Sequence, residues 1–467
     1  MGLSAAMEIG KNGLNIYRVA TEVTSENIAN VNTPGYSRQR VVLETAPPTT
    51  ANGFPMGTGV KIAAVERYYD GLLQKQLVNA QTTQGYDTTK SNVLQQIEPS
   101  FNEVASDGVG AAITNLFGAW QDLTLNPAGS VERQTVMSRA QILVDNFHSV
   151  SKSLTDTQNT QNDSLVPLTL DINATLTNIA QLNGQIKTTE QLSGNANEMR
   201  DQRDQLVRDL SLQIGINFTE KADGTTDISY ADGGAALVTG STAGSFSLTA
   251  NAGTGFYDVN LTPAGSAAAA LVAPLTGQLG ATINLRDTVI SGYLAQVDAL
   301  AATIATQINT QHAAGFDLNG VGGLDFFAAT STTAATIALN PAITSTNQIA
   351  ASGSATLKGD NSNALKLAQI QNLLTMPPPP ATANATFNSS FGSLVSQVGL
   401  DVMASKNTVA QDAAFTKQLT TLRESNSGVS LDEELTNLIK YQRSYQASAK
   451  LISTATEMMD TVINMIR

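Results

Sequence analysis

Near the end of the chain, apolar residues return at alternating spacings of four and three. They are Leu431, Leu435, Leu438, Tyr445, Ile452, Met459, Ile463 and Ile466, and the polar breaks in the series fall at Gln442 and Thr456. This spacing predicts an amphipathic helix over 430–467 with a heptad seam. Ser430 and Glu433 stand three apart, as in a capping box, and Asp432, Glu433 and Glu434 put anions where the helix dipole favours them. A long helix with one apolar face needs a partner. Residues 3–31 supply one. Leu3, Met7, Leu14, Tyr17 and Ile28 lie on one four-three stripe, while Ala6, Ile9, Ile16, Ala20 and Val23 lie on an adjoining one. Two stripes suit a helix with several neighbours. Gly10 and Gly13 lower helix propensity, which predicts close approach of another helix at that point.

Between the ends the period changes several times. Residues 38–66 alternate and read as short extended segments. Helical periods follow over 68–84, to about Glu98, over 113–123 and from Val131 onward, with Pro167 expected to kink or break the helix. In the helix over 198–212, Arg200, Asp204 and Arg208 are four apart and read as pairs along a solvated face. From Ile214 to about Gly280 the period is two, and Asp223-Gly224 and Asp232-Gly233 mark hairpin turns. Helix returns over 283–312, 361–374 and 387–422, separated by a turn-rich, partly β stretch over 313–358 and the stiff run Pro377–Pro380.

The fold class is therefore mainly α with an inserted β domain. Long terminal helices pair as a coiled coil, a helical domain is nested next, and a small β domain lies outermost. The corresponding segments are 1–36 plus 428–467 for the coiled-coil domain. The helical domain takes 37–213, 283–312 and 359–427. The outer β-rich domain takes 214–282 and 313–358.

Composition narrows the chemistry. The chain carries 39 acidic against 26 basic residues, which argues against a nucleic-acid partner. It has no cysteine, so disulfides, thiolate nucleophiles and Cys-based zinc sites are excluded. His148 and His312 are its only histidines and lie far apart. No phosphate-binding loop, nucleophile elbow or H-E-x-x-H zinc motif is present. Asp317-Leu318-Asn319-Gly320 opens like a calcium loop, but Val321 and Ala328 stand where such a loop needs oxygen ligands, so it reads as a turn. No catalytic residue, cofactor or metal is expected. There is no basic-then-apolar leader and no run of 18 apolar residues, so neither a cleaved signal peptide nor membrane insertion is expected.

One motif is more specific. After the first helix comes ANVNTPGYSRQR, with Asn30, Asn32, Thr33, Pro34, Gly35, Tyr36, Ser37 and Arg38 at its centre. It resembles the segment after the N-terminal helix of the flagellar axial proteins, the rod, hook and hook-associated proteins. SLDEELTNLIKYQRSYQASAKLI resembles their C-terminal segment. The internal stretches YYDGLLQKQL, NPAGSVERQTVMSRAQILVDNFHSVSKSL, NEMRDQRDQLVRDLS, INTQHAAGFDLNGVGGLDFF and GDNSNALKLAQIQN resemble the hook-associated branch. The resemblance implies a secreted, self-assembling structural protein at the junction between flagellar hook and filament. Its implied partners are further copies in a ring or helical tube, the hook protein, a filament-side hook-associated protein, and an export chaperone with the type III export apparatus. The implied location is the extracellular flagellum. A hook or distal rod protein shares both end motifs but not RDQRDQL or HAAGFDLNG. A secreted adhesin or enzyme carried by the β insertion is the alternative of another class.

Overall fold

The structure, a computed structural model, describes residues 2–51, 54–102, 108–378 and 381–465. It is mainly helical with small antiparallel sheets. In chain order its elements are α1 (Gly2–Ala29), β1 (Gln39–Thr45), β2 (Thr49–Ala51), β3 (Phe54–Met56), β4 (Val60–Arg67), α2 (Gly71–Ile97), α3 (Val109–Leu125), α4 (Ser130–Ser193) and α5 (Asn197–Gln213). The strands β5 (Ile216–Glu220), β6 (Thr226–Tyr230), β7 (Ala236–Thr239), β8 (Thr242–Ala243), β9 (Ser245–Ala250), β10 (Tyr257–Thr262) and β11 (Ala270–Leu271) follow. The helices α6 (Gly277–Asn284), α7 (Ile290–Ala313), α8 (Ser362–Gln369), α9 (Phe387–Ser427) and α10 (Leu431–Met465) complete the chain.

These elements group into two compact units. The first comprises residues 1–85, 167–277 and 411–467. In it, β1 and β4 pair antiparallel with Gln39 opposite Arg67 and Thr45 opposite Val60. Strands β5–β8 form an antiparallel meander, and β9–β11 form a second sheet. Ile216, Ile228, Leu237, Val238, Phe246, Val259 and Leu261 are buried, as the alternation over 214–280 requires. Asparagine side chains of α4 dock this β region. Asn183 Nδ2 donates to the carbonyls of Thr226 and Gly240, and its Oδ1 accepts the Thr226 N–H. Asn173 brackets Phe246 in the same two-way fashion. A side-chain amide carries the donor and acceptor of a peptide group, so it can continue a ladder where no strand is available.

The second unit comprises residues 86–166 and 278–410. Its core joins Ile113, Phe117 and Trp120 of α3 with Val136, Leu143 and Phe147 of α4, Val297, Ile304 and Ile308 of α7, and Phe387 of α9. A window of the segment 277–313 has mean hydropathy 1.3, long and apolar enough to cross a membrane. Here it is a core helix, with Ile290, Val297, Leu300, Ile304 and Ile308 fully buried. His312 is buried at its end. Its Nε2 accepts the Ala350 N–H at 2.9 Å, which leaves Nδ1–H to donate to the Leu324 carbonyl at 2.5 Å. Arg133 is buried as well and donates to the carbonyls of Pro127, Thr346 and Ile349.

Several expectations differ from what is observed. Pro167 does not break α4, which continues through it with Leu165 and Leu168 buried on either side. Residues 313–358 hold no strand among those described, only isolated bridges. They pack with the helices of the second unit, because Phe326, Phe327, Ala334, Ile337 and Ile349 belong to its core. Asp317 closes an Asx turn: its Oδ1 accepts the N–H groups of Asn319 and Val321. Of the α5 charges, Glu198 and Asp209 are exposed and Arg200 is half-buried, but Asp201, Arg203, Asp204 and Arg208 are buried, so Asp204 and Arg208 do not pair on a solvated face. Residues 379 and 380 of the proline run lie outside the described residues.

Candidate functional site

The two chain ends run side by side. Contacts step in opposite directions along α1 and α10, so the helices are antiparallel. Tyr17 stacks on Tyr441 with ring centroids 6.4 Å apart. Further along, Gly13 faces Ser448, and Gly10 faces Leu451 and Ile452. A Cβ on Gly10 would lie 2.6 Å from Ile452 Cγ1, and one on Gly13 would lie 2.7 Å from Ser448 Oγ. The glycines thus leave room for the side chains of α10 to lie against the α1 backbone. Ile16, Ala20, Val23 and, on α10, Ala455 are buried.

At the other end of this pairing lies a buried polar junction. Asn27, in the last turns of α1, is 1% exposed, and Glu434, in the first turn of α10, is 2% exposed. Asn27 Nδ2 donates to Glu434 Oε2 at 3.0 Å and to the Gln39 carbonyl at 2.9 Å. Asn27 Oδ1 accepts the Gln39 N–H and the Tyr36 hydroxyl, both at 2.9 Å. Arg38 donates from Nε and Nη2 to Glu434 Oε1 at 2.7 Å, and from Nη1 to Glu433 Oε2 at 2.6 Å. Glu433 therefore serves Arg38, in place of the capping role that its spacing predicts. Burial lowers the proton affinity of the Arg38 guanidinium, but Glu434 and Glu433 outweigh it and the net shift is upward. The Arg38 N–H donates to the Ser427 carbonyl, which ties the motif to the end of α9.

The motif also grips α5. The Ser37 N–H donates to Asp201 Oδ2 at 2.8 Å, and Arg67 Nη1 lies 2.7 Å from Asp201 Oδ1 and 2.8 Å from Asp204 Oδ2. Burial pushes the Asp201 carboxyl up, against the opposing pull of Arg67 and Ser37. Gly35 has φ +84°, and its carbonyl accepts from Arg423 Nη2 at 2.6 Å. A Cβ there would combine left-handed backbone with contacts of 3.0 Å to Gln205 and 3.2 Å to Arg208, so glycine is required. The Pro34–Gly35 turn is thus the point where α1, α5, α10 and the end of α9 are fastened together, through residues that all belong to the first unit.

The apolar positions read from the seam divide into two groups. Leu3, Met7, Leu14, Tyr17 and Ile28 of α1 are half-buried, as are Leu438, Ile452 and Met459 of α10. Leu431, Leu435, Tyr445 and Ile463 are exposed. Ile466 lies outside the described residues. Of the motif, Ser37 is buried, Asn30, Gly35, Tyr36 and Arg38 are half-buried, and Asn32, Thr33 and Pro34 are exposed. The residues absent from the sequence reading are Asn27, Arg67, Asp201, Arg423 and Glu434 in its buried role. Only Glu434 carries a local signal, a carboxylate between seam positions. Among the described residues no group of His, Asp and Glu side chains is arranged to hold a metal ion.

Comparison with known proteins decides what this arrangement belongs to. The family described as flagellar hook-associated protein FlgK helical domain matches residues 94–327, half of the chain. The chain belongs to the FlgK family of flagellar hook-associated proteins. The rod-protein families fit at the two ends: flagella basal body rod protein over 7–36, and flagellar basal body rod FlgEFG protein C-terminal over 423–465. Flagellar hook-associated protein 1 of Bacillus subtilis (strain 168) is 28% identical, covering 98% of this chain and 97% of that protein. The proteins of the same name from Salmonella typhimurium and Escherichia coli K12 are 26% and 27% identical, each covering 99% of this chain and all of their own length. The FlgK structure from Burkholderia pseudomallei, titled a flagellar hook junction protein, aligns at TM-score 0.68 with 18% identity, over 76% of this chain and 100% of that one. It shares the fold. Members of the FlgK family are structural components of the bacterial flagellum, and the rod-family matches coincide with the helices joined at Asn27 and Glu434.

Proposed function

We propose that this protein forms the junction between flagellar hook and filament, and that the paired chain ends are its assembly domain. Residues 1–36 and 428–467 act as a two-helix coiled coil, which packs against the same helices of neighbouring copies in a ring or tube wall. The observation that carries this reading is the outer face of α10. Ile439 and Ile463 are each more than half exposed although α10 is already paired with α1. Covering such a face contributes about 1 kcal/mol for each half-exposed side chain. The sequence-level seam, Leu431, Leu435, Tyr445 and Ile463, is on this reading the surface between subunits rather than within one.

The partners are further copies of the chain, the hook protein on one side and a filament-side hook-associated protein on the other. The role is mechanical, with no catalytic step. Export to the extracellular flagellum proceeds through the type III route with a chaperone.

The test is the double substitution Ile439→Asp and Ile463→Asp in cells lacking the native copy. The variant should be exported and, when purified, keep its helical circular dichroism, while filaments fail to stay attached and swimming is lost. Normal swimming would overturn the proposal.

A further inference from the structure

The turn at Asp317–Gly320 carries an Asn-Gly pair. Asparagine is thermolabile, because the backbone nitrogen of the next residue can attack the side-chain amide carbon. A following glycine, with no Cβ, shields that nitrogen least. The chain has four such pairs: Asn12-Gly13, Asn52-Gly53, Asn183-Gly184 and Asn319-Gly320. Asn52 lies outside the described residues. The structure treats the other three differently.

Asn12 stands inside α1 and Asn183 inside α4, where the N–H of the next residue belongs to the helical ladder. Asn183 is also buried, and both atoms of its amide are bonded to the backbone of Thr226 and Gly240. Asn319 is exposed and lies in a turn. Its Nδ2 makes a long contact, 3.3 Å, to Asp317 Oδ2. The Gly320 N–H donates to the Asp317 carbonyl at 3.1 Å. That one bond of a surface turn must open to free the Gly320 nitrogen, whereas a helix must unwind to free the nitrogens of Gly13 and Gly184.

We propose that Asn319 is a site of spontaneous deamidation in the folded chain. The Gly320 nitrogen attacks Asn319 Cγ, its proton passes through solvent to the departing Nδ2, and ammonia leaves a cyclic imide behind. Water opens that ring at either carbonyl, giving aspartate or isoaspartate at this position. The net change is one amide hydrolysed, one ammonia released and one negative charge gained, and water is the only co-reactant. Both products loosen the turn. Asp317 Oδ1 holds it by accepting the N–H groups of Asn319 and Val321. A carboxylate in place of the Asn319 amide has no N–H for Asp317 Oδ2 and sets like charges side by side. Isoaspartate also lengthens the backbone next to Gly320, where even a Cβ would lie 2.5 Å from the Ala355 carbonyl oxygen. The same corner seats the Leu318 N–H on the Asn347 carbonyl at 3.0 Å and the Phe316 N–H on the Ser352 carbonyl at 2.7 Å, all within the second unit. The change is one-way and accumulates with the age of a copy. The inference concerns the isolated chain and does not rest on the assembly proposal.

The full chain is aged at mildly alkaline pH, both folded and in urea, and peptide mapping follows Asn12, Asn183 and Asn319. In the folded chain Asn319 should convert at least ~tenfold faster than the other two, because opening of a helix limits those. In urea the rates should converge. Asn319→Gln should remove the acidic shift of that peptide. Asn319→Asp should lose amide-exchange protection at Val321 while its circular dichroism stays native. An Asn319 peptide that stays intact in the folded chain while it converts in urea, or equal rates at all the mapped sites in the folded chain, would overturn the site. Native protection at Val321 in Asn319→Asp would overturn the loosening.

Discussion

Asn27 and Glu434 are 407 positions apart in sequence and 3.0 Å apart in space. Glu434 also receives Arg38, so one buried carboxylate closes three segments into one junction. Glu434→Ala takes one acceptor from the half-buried Arg38 guanidinium, which keeps Glu433, and one from the buried Asn27 amide, which keeps the Gln39 carbonyl. Losing these charge-assisted bonds is expected to destabilise by about 1–3 kcal/mol. Glu434→Gln should be milder but still harmful, because its NH₂ must face Asn27 or Arg38, which are both donors. Urea unfolding followed by circular dichroism, with proteolysis at α10 as a local probe, checks both.

Two glycines on helices should respond in opposite directions. Gly118 in α3 is exposed, with open space where a Cβ would sit, so Gly118→Ala should stabilise by about 0.5–1 kcal/mol. Gly10→Val should destabilise by about 1–3 kcal/mol, because its branches collide with Ile452 and force the helices apart. Thermal unfolding of the two variants side by side gives the signs.

His312 makes the second unit acid-sensitive. Burial lowers its pKa from 6.5 to about 4, and protonating Nε2 would also remove the acceptor for Ala350 N–H. The unfolded chain therefore binds the proton more readily. The stabilisation is complete above pH 6.5 and is lost as pH falls toward 4, with a full size of about 3 kcal/mol. Trp120, the only tryptophan, lies 6.1 Å from the imidazole and reports the transition. Urea midpoints by fluorescence should fall between pH 7 and 4 in the native chain. His312→Leu should start lower and stay flatter.

Asn183 satisfies two backbone carbonyls and one backbone N–H of the β region. Asn183→Asp keeps the shape but has no N–H to give, so both carbonyls lose their donor. It should destabilise by about 2–4 kcal/mol, more than a surface Asn→Asp change by an order of magnitude. Loss of protection in β6 and β7 by amide exchange would localise the effect.

The long helices, the β insertion and the turn after α1 were legible, because each rests on local periodicity or on Pro and Gly. The inward row of α10 was not. It runs through Glu434, Tyr441, Ser448 and Ala455, and a row of small and polar residues does not register as an apolar seam. Close approach at Gly10 and Gly13 is what makes that row sufficient. The α5 ion pairs were misread for a different reason. Arg67, Glu190 and Glu220, which hold its charges, come from other elements, whereas spacing within a helix reveals only partners on the same helix. The bracketing asparagines were likewise silent, since an Asn that completes a ladder looks like any other Asn until the strand beside it is known.

The pairing of α1 with α10 has a consequence for biosynthesis. A ribosome finishes α1 about 400 residues before it reaches Glu434, so the first helix waits through nearly the whole of translation for its partner. A product truncated before Leu431 lacks the row that Gly10, Tyr17 and Asn27 touch. The junction at Asn27 thus forms only once Glu434 has been made.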